Sequence, residues 1–470
     1  MPSRIFLISA NRCVTPEQIF PLGLSHLNTA LRRAGHECRW WDVLAPGEGL
    51  EAALTAFRPD FVGISIRNID DVIIGRQETF YDEAMEMCAT VRRLAGCPVI
   101  VGGSGFSLFP RELLELSRAD FGMIGEGEHG LVLLIAALEH RTSWEQIPGL
   151  VFRREGQVVV NQVARAELDR EPALVDRPPE ITAHYLRASG VLNVQTQRGC
   201  PFRCCYCTYP LIEGRRRINR EAELVAEEFA QLEQLGANYA FIVDSVFNTS
   251  ARHVAEICEA IIQRSLKIRW GCFLRPRGLT AELMDLMVRA GLAHIEFGCD
   301  SLCDPVLKAY HKDFTFEDIV LSTNLARERQ IDYCHFLIIG GPGETMDTLQ
   351  TAFENSRRLG GSTIMAAVGM RVYPGTELHE RALAEGRITK ETDLLRPCYY
   401  LAPGLEREVL FEKLREYARL MPGWLVGDPV PAYANLVQRL RQRGITGPLW
   451  SYFSALQRLW PRPDAVPVNS

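Results

Sequence analysis

Three cysteines near the middle of the 470-residue chain have a spacing that suits a metal cluster. Cys200, Cys204 and Cys207 follow a C-x3-C-x2-C pattern within one loop, which is too tight for three unrelated cysteines of a hydrophobic core. Iron–sulfur clusters are ordinarily held by four thiolates, so three thiolates would leave one iron open. The spacing predicts that these cysteines are metal ligands and that one coordination position is free for another molecule.

A zinc loop, or a group of buried free thiols, is the alternative interpretation of the same residues. Structural zinc sites use four protein ligands, and catalytic zinc sites use three, with histidine among them, plus water. No histidine lies within residues 200–207. The ligand types therefore favour an iron–sulfur cluster.

The loop resembles the cluster-binding loop of radical S-adenosylmethionine (SAM) enzymes. Residues 198–207 read RGCPFRCCYC, in which the aromatic Tyr206 precedes the last cysteine. The resemblance implies a [4Fe–4S] cluster whose open iron binds SAM through its amino and carboxylate groups and then cleaves it reductively. It also implies an electron donor such as a flavodoxin or a ferredoxin.

The composition limits the expected partners and location. The formal net charge is −6, without the overall basic field that drives binding to nucleic acid or to a membrane surface, so a small-molecule substrate is expected. No run of 18 apolar residues occurs, and the apolar run at residues 5–8 has the length of a strand rather than of a signal peptide. We therefore expect a cytoplasmic protein without a membrane span, in which most of the 14 cysteines are free thiols or ligands.

Short apolar runs alternate with helical patterns along the first 150 residues. This alternation predicts an α/β fold with a doubly wound, flavodoxin-like (Rossmann-like) parallel sheet, whose ligand crevice lies beyond the carboxyl ends of the strands. The predicted strands span residues 5–9, 37–42, 61–66, 98–101 and 121–124, and the predicted helices span residues 22–34, 81–95, 111–117 and 130–140.

This half of the chain resembles the cobalamin-binding domain of B12-dependent radical SAM enzymes. Ser65, Gly102 and Gly103 match the serine and glycines that line the cobalamin pocket in that family, which implies that they bind cofactor here. Arg67 replaces the leucine that usually follows two residues after the serine, and the D-x-H-x-x-G signature of histidine-ligated cobalamin is absent. Histidine-free binding is common in this subclass. A Rossmann-like scaffold that binds nothing is the alternative.

The second half of the chain predicts a barrel. Its six β/α units resemble the partial (β/α)6 TIM-type barrel of radical SAM enzymes, and the first strand leads directly into the cluster loop. The predicted strands span residues 192–197, 239–243, 267–273, 294–298, 333–339 and 363–372, and the predicted helices span residues 221–235, 251–265, 281–290 and 316–329.

Polar residues at the carboxyl ends of barrel strands are the expected site residues. Arg275 is placed to pair with the carboxylate of SAM, although a surface salt bridge is the alternative. The family resemblance implies SAM contacts for further residues at the ends of later strands, namely Asp244 and Ser245 at the amino group, Glu296, Asp300 and Ser301 at the ribose, and Gly341 and Glu344 at the adenine.

Two of these segments depart from the family pattern. Asp244-Ser245 stands where many members carry a glycine-glycine-glutamate segment, and Leu337 replaces the first glycine of a G-x-I-x-G-x-x-E segment. Cys299 and Cys303, in the loop after the fourth barrel strand, are candidate catalytic thiols. Buried free cysteines, however, usually behave as small hydrophobes.

Four segments are expected along the chain. They are a cobalamin-binding-like domain (1–148), a hairpin at 150–160 with an irregular linker (149–190), the barrel (191–400) and a helical C-terminal region (401–470) without a further barrel strand. Helices are predicted there at 406–420, 433–443 and 449–459.

The resemblance implies cobalamin-dependent methyl transfer from SAM to a small molecule. A second possibility keeps the cluster without cobalamin and transfers the 3-amino-3-carboxypropyl group of SAM to an acceptor such as arsenite, as in organoarsenical biosynthesis. A non-catalytic cobalamin or redox sensor is a third.

Overall fold

The N-terminal half forms one seven-stranded sheet with helices packed against it. The computed structural model describes residues 2–14, 17–163, 174–360 and 362–427, together with the single residues 439, 443 and 447. The elements of this half are β1 (Arg4–Ser9), α1 (Leu22–Arg33), β2 (Glu37–Asp42), α2 (Leu50–Phe57), β3 (Phe61–Ser65), α3 (Tyr81–Ala95), β4 (Val99–Gly102), α4 (Ser104–Leu108), α5 (Pro110–Ser117), β5 (Phe121–Met123), α6 (Gly127–His140), β6 (Leu150–Arg154) and β7 (Gln157–Val160).

The strand order of this sheet is β2-β1-β3-β4-β5-β6-β7. Strands β1 to β5 are parallel, which is the flavodoxin-like order and confirms the predicted fold class. Strands β6 and β7 continue the sheet as an antiparallel hairpin. The hairpin turns at Glu155 and Gly156, both with positive φ, as the predicted tight turn requires.

The segment between the two halves contains a helix, so the prediction of a wholly irregular linker was wrong. Helix α7 (Pro179–Ala188) begins with a proline, a position at which the missing N–H and the fixed φ of proline are tolerated. The proline therefore starts this helix instead of preventing it. The Tyr185 hydroxyl in α7 donates to the Asp42 carboxylate at 2.9 Å, which holds the helix against the first sheet.

The C-terminal half forms a second seven-stranded sheet, built mainly from β/α units. Its elements are β8 (Val191–Val194), β9 (Gln197–Arg198), α8 (Tyr209–Ile212), β10 (Ile218–Asn219), α9 (Ala222–Gln234), β11 (Tyr239–Ile242), α10 (Ala251–Gln263), β12 (Arg269–Leu274), α11 (Ala281–Arg289), β13 (Leu292–Asp300), α12 (Asp304–Ala309), α13 (Phe316–Glu328), β14 (Asp332–Ile339), α14 (Met346–Ser356), β15 (Thr363–Val368), β16 (Met370–Arg371), α15 (Glu377–Ala384), β17 (Tyr399–Tyr400), α16 (Arg407–Leu420) and β18 (Trp424–Val426).

The strands of this sheet are ordered β18-β15-β14-β13-β12-β11-β8, and each neighbouring pair is parallel. The six predicted barrel strands are present in the predicted sequence order. Strand β18 is an additional edge strand, so the expectation of no barrel strand after residue 401 was wrong. Three residues are too few to show a periodic pattern, and β18 is fixed instead by its pairing with β15 and by the burial of Trp424.

The two halves share one hydrophobic core. A single cluster of buried side chains includes Phe20 and Trp40 from the first half and Leu192 and Tyr185 from the second half and the linker. The rings of Phe20 and Tyr185 meet edge to face, with their centroids 5.5 Å apart. The two domains are therefore packed against one another through apolar side chains.

The predicted C-terminal helices have different outcomes. Helix α16 corresponds to the helix expected at 406–420, whereas the helices expected at 433–443 and 449–459 lie outside the continuous described ranges. Within the part of the chain that the structure describes, no helix has both the length and the apolar character that a membrane crossing requires.

Candidate active site

The cluster loop lies between β9 and α8. Cys200 is buried, and Cys204 and Cys207 are half-buried. The backbone holds the loop tightly: the Cys200 N–H donates to the Gly214 carbonyl at 2.9 Å, and the Cys207 N–H donates to the Cys204 carbonyl at 3.2 Å. Among the described residues, these thiols do not converge on one point as the ligands of a single metal ion would. The ligands of a [4Fe–4S] cluster need not converge, because each thiolate binds a different iron. The donor set, three free thiols in one loop, fits such a cluster.

A buried lysine lies beside the cluster loop. Lys312 forms an ion pair with Asp300, with the two side chains 9% and 7% exposed, and its ammonium is 3.4 Å from the Tyr206 hydroxyl. Burial raises the pKa of the Cys204 thiol, and the Lys312 ammonium, which is hydrogen-bonded to that thiol, opposes the shift. Burial would lower the pKa of Lys312, but Asp300 and Cys204 outweigh it and raise that pKa. The charged Lys312 ammonium is therefore hydrogen-bonded to Cys204, one of the three predicted cluster ligands.

Asp300 is positioned by an irregularity in its strand. The pairing between β13 and β14 shifts register between Phe297 and Asp300, and Asp300 adopts a positive φ of 64°, which is uncommon for a residue other than glycine. Its carboxylate accepts a hydrogen bond from Tyr206 of the cluster loop. Asp300, predicted to contact SAM, thus lies at the cluster loop. Ser301 next to it is buried, and its hydroxyl accepts a bond from the Cys303 N–H at 3.2 Å.

Asp244 holds the entry to the cluster loop. The Asp244 carboxylate, which is fully buried, accepts hydrogen bonds from the Thr196 N–H at 2.6 Å, from the Thr196 hydroxyl and from the Gln197 N–H at 3.2 Å. Burial raises the pKa of this carboxyl to about 7. Both oxygens are engaged by the chain, so this carboxyl group fixes the backbone at the entry to the loop. The predicted contact of Asp244 with the amino group of SAM stays a prediction. Ser245, which follows it, is half-buried.

Arg275 packs directly on the cluster loop. Its guanidinium lies 4.4 Å from the ring centroid of Phe202, and one Nη donates to Asp313 at 2.7 Å. Its buried Nε has no hydrogen-bond partner among the described residues. This donor, next to the loop, is available to a carboxylate such as that of SAM. Glu296, further back in β13, is mostly buried and 3.9 Å from His294.

Gly341 and Glu344 build the turn after β14. A side chain at Gly341 would overlap the hydroxyl of Tyr310, to which the Gly341 N–H donates at 3.0 Å. The Glu344 carboxylate folds back to accept a hydrogen bond from the Gly340 N–H. Burial raises the pKa of Glu344 to about 7. These contacts give both residues a role in shaping the turn that is predicted to face adenine.

Cys299 and Cys303 pack in the hydrophobic core, and the catalytic role predicted for them has no structural support. Cys299 lies on the same strand face as Phe297, and its sulfur is 3.3 Å from Nδ1 of the buried His335. The Phe297 ring stacks on that histidine, with centroids 5.2 Å apart. Burial raises the pKa of both thiols. The other ring nitrogen of His335 lies 3.2 Å from the Thr323 hydroxyl of α13, so Cys299 lies on the side of the strand that packs against this helix.

A cavity of about 680 Å³ lies between the two domains. On one side it is lined by the carboxyl ends of β1, β3, β4 and β5, including Ser65, Gly102 and Gly103, and on the other by Arg198 and Tyr209 beside the cluster loop. Gly103 has a φ of 102°, and a Cβ there would lie 2.6 Å from the Ile66 carbonyl, so only glycine is accommodated. Glycine at this position lets the turn after β4 pack on the backbone of Ile66, and Gly102 and Gly103 present backbone to this wall of the cavity, which allows a large cofactor such as cobalamin to approach the main chain closely.

Arg198 connects this cavity to the cluster loop. Its guanidinium contacts the Glu128 carboxylate at 2.7 Å and the Glu126 carboxylate at 3.2 Å, and all three side chains are less than 20% exposed. Burial would lower the pKa of Arg198, but Glu128 and Glu126 outweigh it and raise that pKa. A second buried pair joins the domains at Arg371 and Asp70, 2.9 Å apart.

Sequence reasoning missed these charged residues. Arg198 and Lys312 lie next to polar residues in the sequence, so nothing in the local pattern indicates burial. The one available signal was the position of Arg198 two residues before Cys200. Tertiary contacts alone identify the partners Glu128 and Asp300.

Comparisons with known proteins agree with both domains. A model of the B12 binding domain matches residues 9–135, and a model of the radical SAM superfamily matches residues 194–355. The chain is 25% identical over 459 residues to tryptophan 2-C-methyltransferase of Streptomyces laurentii, covering 81% of this chain and 74% of that protein. It is 23% identical to cytidylyl-2-hydroxyethylphosphonate methyltransferase of Streptomyces wedmorensis, covering 82% of each.

The fold agrees with a solved structure over almost its entire length. The radical SAM methyltransferase TsrM from Kitasatospora setae, solved with cobalamin and a [4Fe–4S] cluster, superposes with a TM-score of 0.86 at 24% identity, covering 98% of this chain and 99% of that one. The two matched domains imply a [4Fe–4S] cluster, SAM and cobalamin as cofactors. The chain therefore carries a B12-binding domain at residues 9–135 followed by a radical SAM domain at residues 194–355.

Proposed function

We propose that the protein is a cobalamin-dependent radical SAM methyltransferase that acts on a small molecule. The observation that carries the proposal is the cavity between the domains. Its glycine-lined wall at Gly102 and Gly103 belongs to the B12-binding domain, and its opposite wall adjoins the cluster loop through Arg198. A methyl carrier and a SAM-binding cluster would therefore face each other across one cavity.

Each cofactor has chain residues suited to hold it. Cys200, Cys204 and Cys207 would supply the thiolate ligands of the cluster, whose open iron would bind SAM. Ser65, Gly102 and Gly103 would contact cobalamin, which supplies a methyl-carrying cobalt when bound. Arg275, whose buried Nε has no hydrogen-bond partner among the described residues, would pair with the carboxylate of SAM, and the half-buried Ser245 would contact its amino group.

Other chain residues would position the site without touching the reacting atoms. Asp244 fixes the backbone at Thr196 and Gln197, and Glu344 fixes the turn at Gly340. The two domains are packed together by apolar contacts such as that of Phe20, which lines the cavity, with Tyr185.

The two other functions have less support. The relatives named above are methyltransferases, and none of them supports transfer of the 3-amino-3-carboxypropyl group. A non-catalytic sensor would not need the radical SAM domain together with the SAM-facing residues. Methyl transfer therefore remains the function that the site favours.

The proposal is tested by the cofactor content and products of protein purified without oxygen. We expect the protein to retain cobalamin, seen in its absorption spectrum, and to form S-adenosylhomocysteine from SAM under reducing conditions. Cys204→Ala protein is the control for cluster-dependent turnover. Methylthioadenosine as the main product, or protein that binds no added cobalamin, would contradict methyl transfer through cobalamin.

A further inference from the structure

We propose that the segment between β3 and α3 is a clamp that retains cobalamin in the cavity, and that Val72 is the side chain through which it contacts the cofactor. The segment, called here the β3–α3 loop, comprises residues 66–80. The inference rests on the proposed function, because that function places cobalamin in the cavity between the domains.

Val72 has an unfavourable backbone conformation. Its φ is 51°, which for a β-branched residue is a genuine outlier. The residue is also 52% exposed. An exposed valine needs no explanation by itself, but strained residues of this kind cluster at ligand clamps and switch segments. The conformation of Val72 therefore points to a contact with a ligand.

Carboxylates of the same loop impose this conformation. The Asp70 carboxylate accepts a hydrogen bond from the Val72 N–H at 3.0 Å, and the Asp71 carboxylate accepts one from the Ile73 N–H at 3.1 Å. The other oxygen of Asp70 is paired with Arg371 of the barrel at 2.9 Å, with both side chains buried. A barrel residue therefore fixes the acceptor that holds Val72 in place.

A second contact anchors the loop to the barrel on the other side of Val72. Ile74 is buried, and a Cβ at Gly369, between β15 and β16, would lie only 2.8 Å from its Cδ1. At the base of the loop, Asp70 and Thr79 form an antiparallel bridge. The loop is therefore closed at its base and extends from the first domain to the barrel.

The position of Val72 favours contact with cobalamin. It lines the cavity on the same wall as Ser65 and Gly102, which are predicted to bind the cofactor, and Asn68 of the same loop lines that wall too. The rim of the corrin ring carries methyl groups and amide side chains, so Val72 and Asn68 offer an apolar and a polar contact of matching kinds. A contact at the rim would slow the release of cobalamin without taking part in methyl transfer.

The test measures the release of cobalamin in the absence of SAM. Full-length, cluster-loaded enzyme would be loaded with hydroxocobalamin and chased with a large excess of cyanocobalamin, and the hydroxocobalamin that remains bound would be followed by absorption after desalting. Val72→Gly is the test variant, because it removes the side chain and glycine readily adopts a positive φ. Gln77→Gly is the matched control: Gln77 lies in the same loop with a φ of 54° but is not among the described residues that line the cavity.

We expect Val72→Gly to release hydroxocobalamin about tenfold faster than wild type, because it loses the burial of one apolar side chain against the cofactor. Val72→Asn, which tolerates a positive φ but is polar, should also release it faster. Gln77→Gly should behave as wild type. Since glycine relieves the strained φ at either position, neither glycine variant should unfold at a lower urea concentration than wild type in the cobalamin-free form.

Two results would overturn the inference alone. They are release of hydroxocobalamin from Val72→Gly at the wild-type rate, and equal acceleration in Val72→Gly and Gln77→Gly, which would assign the effect to the backbone of the loop instead of the Val72 side chain. Wild-type protein that binds no hydroxocobalamin would overturn the inference together with the proposed function. Failure of methyl transfer would leave these measurements intact, because none of them uses SAM.

Discussion

Arg198 donates to Glu128 across the domain boundary at 2.7 Å, and this contact fixes the cluster loop to the wall of the cofactor cavity. Arg198 precedes the first cluster cysteine by two residues, and Glu128 follows β5 at the beginning of α6. Glu126, the second partner, lines the same cavity. The loop that would bind SAM and the wall that would bind cobalamin are therefore held together by one buried cation.

Replacing Arg198 should destabilise the interface. In Arg198→Gln, Glu126 and Glu128 remain buried close together without a cation, and breaking such a buried pair costs about 3–5 kcal/mol. Arg198→Gln/Glu128→Gln should recover part of that loss, because one buried charge is removed. Urea unfolding of the full chain would measure both. If the free-energy costs of Arg198→Gln and Glu128→Gln, measured separately, add up to the cost of the double variant, the two residues are not coupled.

Loss of the cluster should follow replacement of each predicted ligand cysteine but not replacement of Cys205, which lies among them. Cys200→Ala, Cys204→Ala and Cys207→Ala should each lose the visible absorption and bound iron of the reconstituted cluster, because a thiolate ligand is removed. Cys205→Ala is the matched control, since Cys205 is buried in the core and lies between two ligand positions. It should keep the cluster. Full iron content in Cys204→Ala would disprove the ligand assignment.

The sequence identified the cluster loop and most of the parallel strands because these features are local. Apolar runs such as residues 5–8 of β1 indicate buried strands directly, and three closely spaced cysteines indicate a metal site. The three-residue β18 has no periodicity to detect. The surroundings of Asp244 and Cys299 could not be predicted for another reason. Sequence gives the strand on which a side chain lies, but its partners and the face it occupies depend on packing with distant segments.

Buried charges were the least predictable part of the site. Lysine and arginine are almost always placed on the surface by sequence reasoning, because burial is costly unless they are paired. Lys312 and Arg371 are buried only because Asp300 and Asp70 meet them from elsewhere in the chain. Such pairs connect residues that are far apart in sequence, as with Asp70 and Arg371, and a single sequence does not reveal them.

Asp244 should make stability depend on pH. Its pKa is about 7 in the folded chain, raised by burial from 3.8. A carboxyl whose pKa is raised on folding contributes stability that is complete below pH 3.8 and is lost as the pH rises towards 7. Asp244→Asn keeps an acceptor for the Thr196 and Gln197 N–H groups but cannot ionise. Thermal unfolding should therefore show that this variant gains stability relative to wild type between pH 5 and pH 8.

Asp244→Ala is the control for the hydrogen bonds. It leaves the buried N–H groups of Thr196 and Gln197 without an acceptor, which costs about 1–3 kcal/mol for each unsatisfied group. This variant should be less stable than Asp244→Asn at every pH. A difference between wild type and Asp244→Asn that does not change with pH would contradict the assigned protonation.

Lys312 should set the reduction potential of the cluster. Its buried ammonium lies beside Cys204 and is paired with Asp300, and charge and hydrogen bonds at the cluster sulfurs are what tune such potentials. Lys312→Met removes a cation and should lower the midpoint potential of the cluster, because the negative charge that the cluster gains on reduction is then less stabilised. Asp300→Asn should raise the potential. The double variant, which removes one charge of each sign, should lie near wild type in a redox titration followed by electron paramagnetic resonance. Lys312→Arg, which keeps the charge, should also lie near wild type, and an unchanged potential in Lys312→Met would exclude this role.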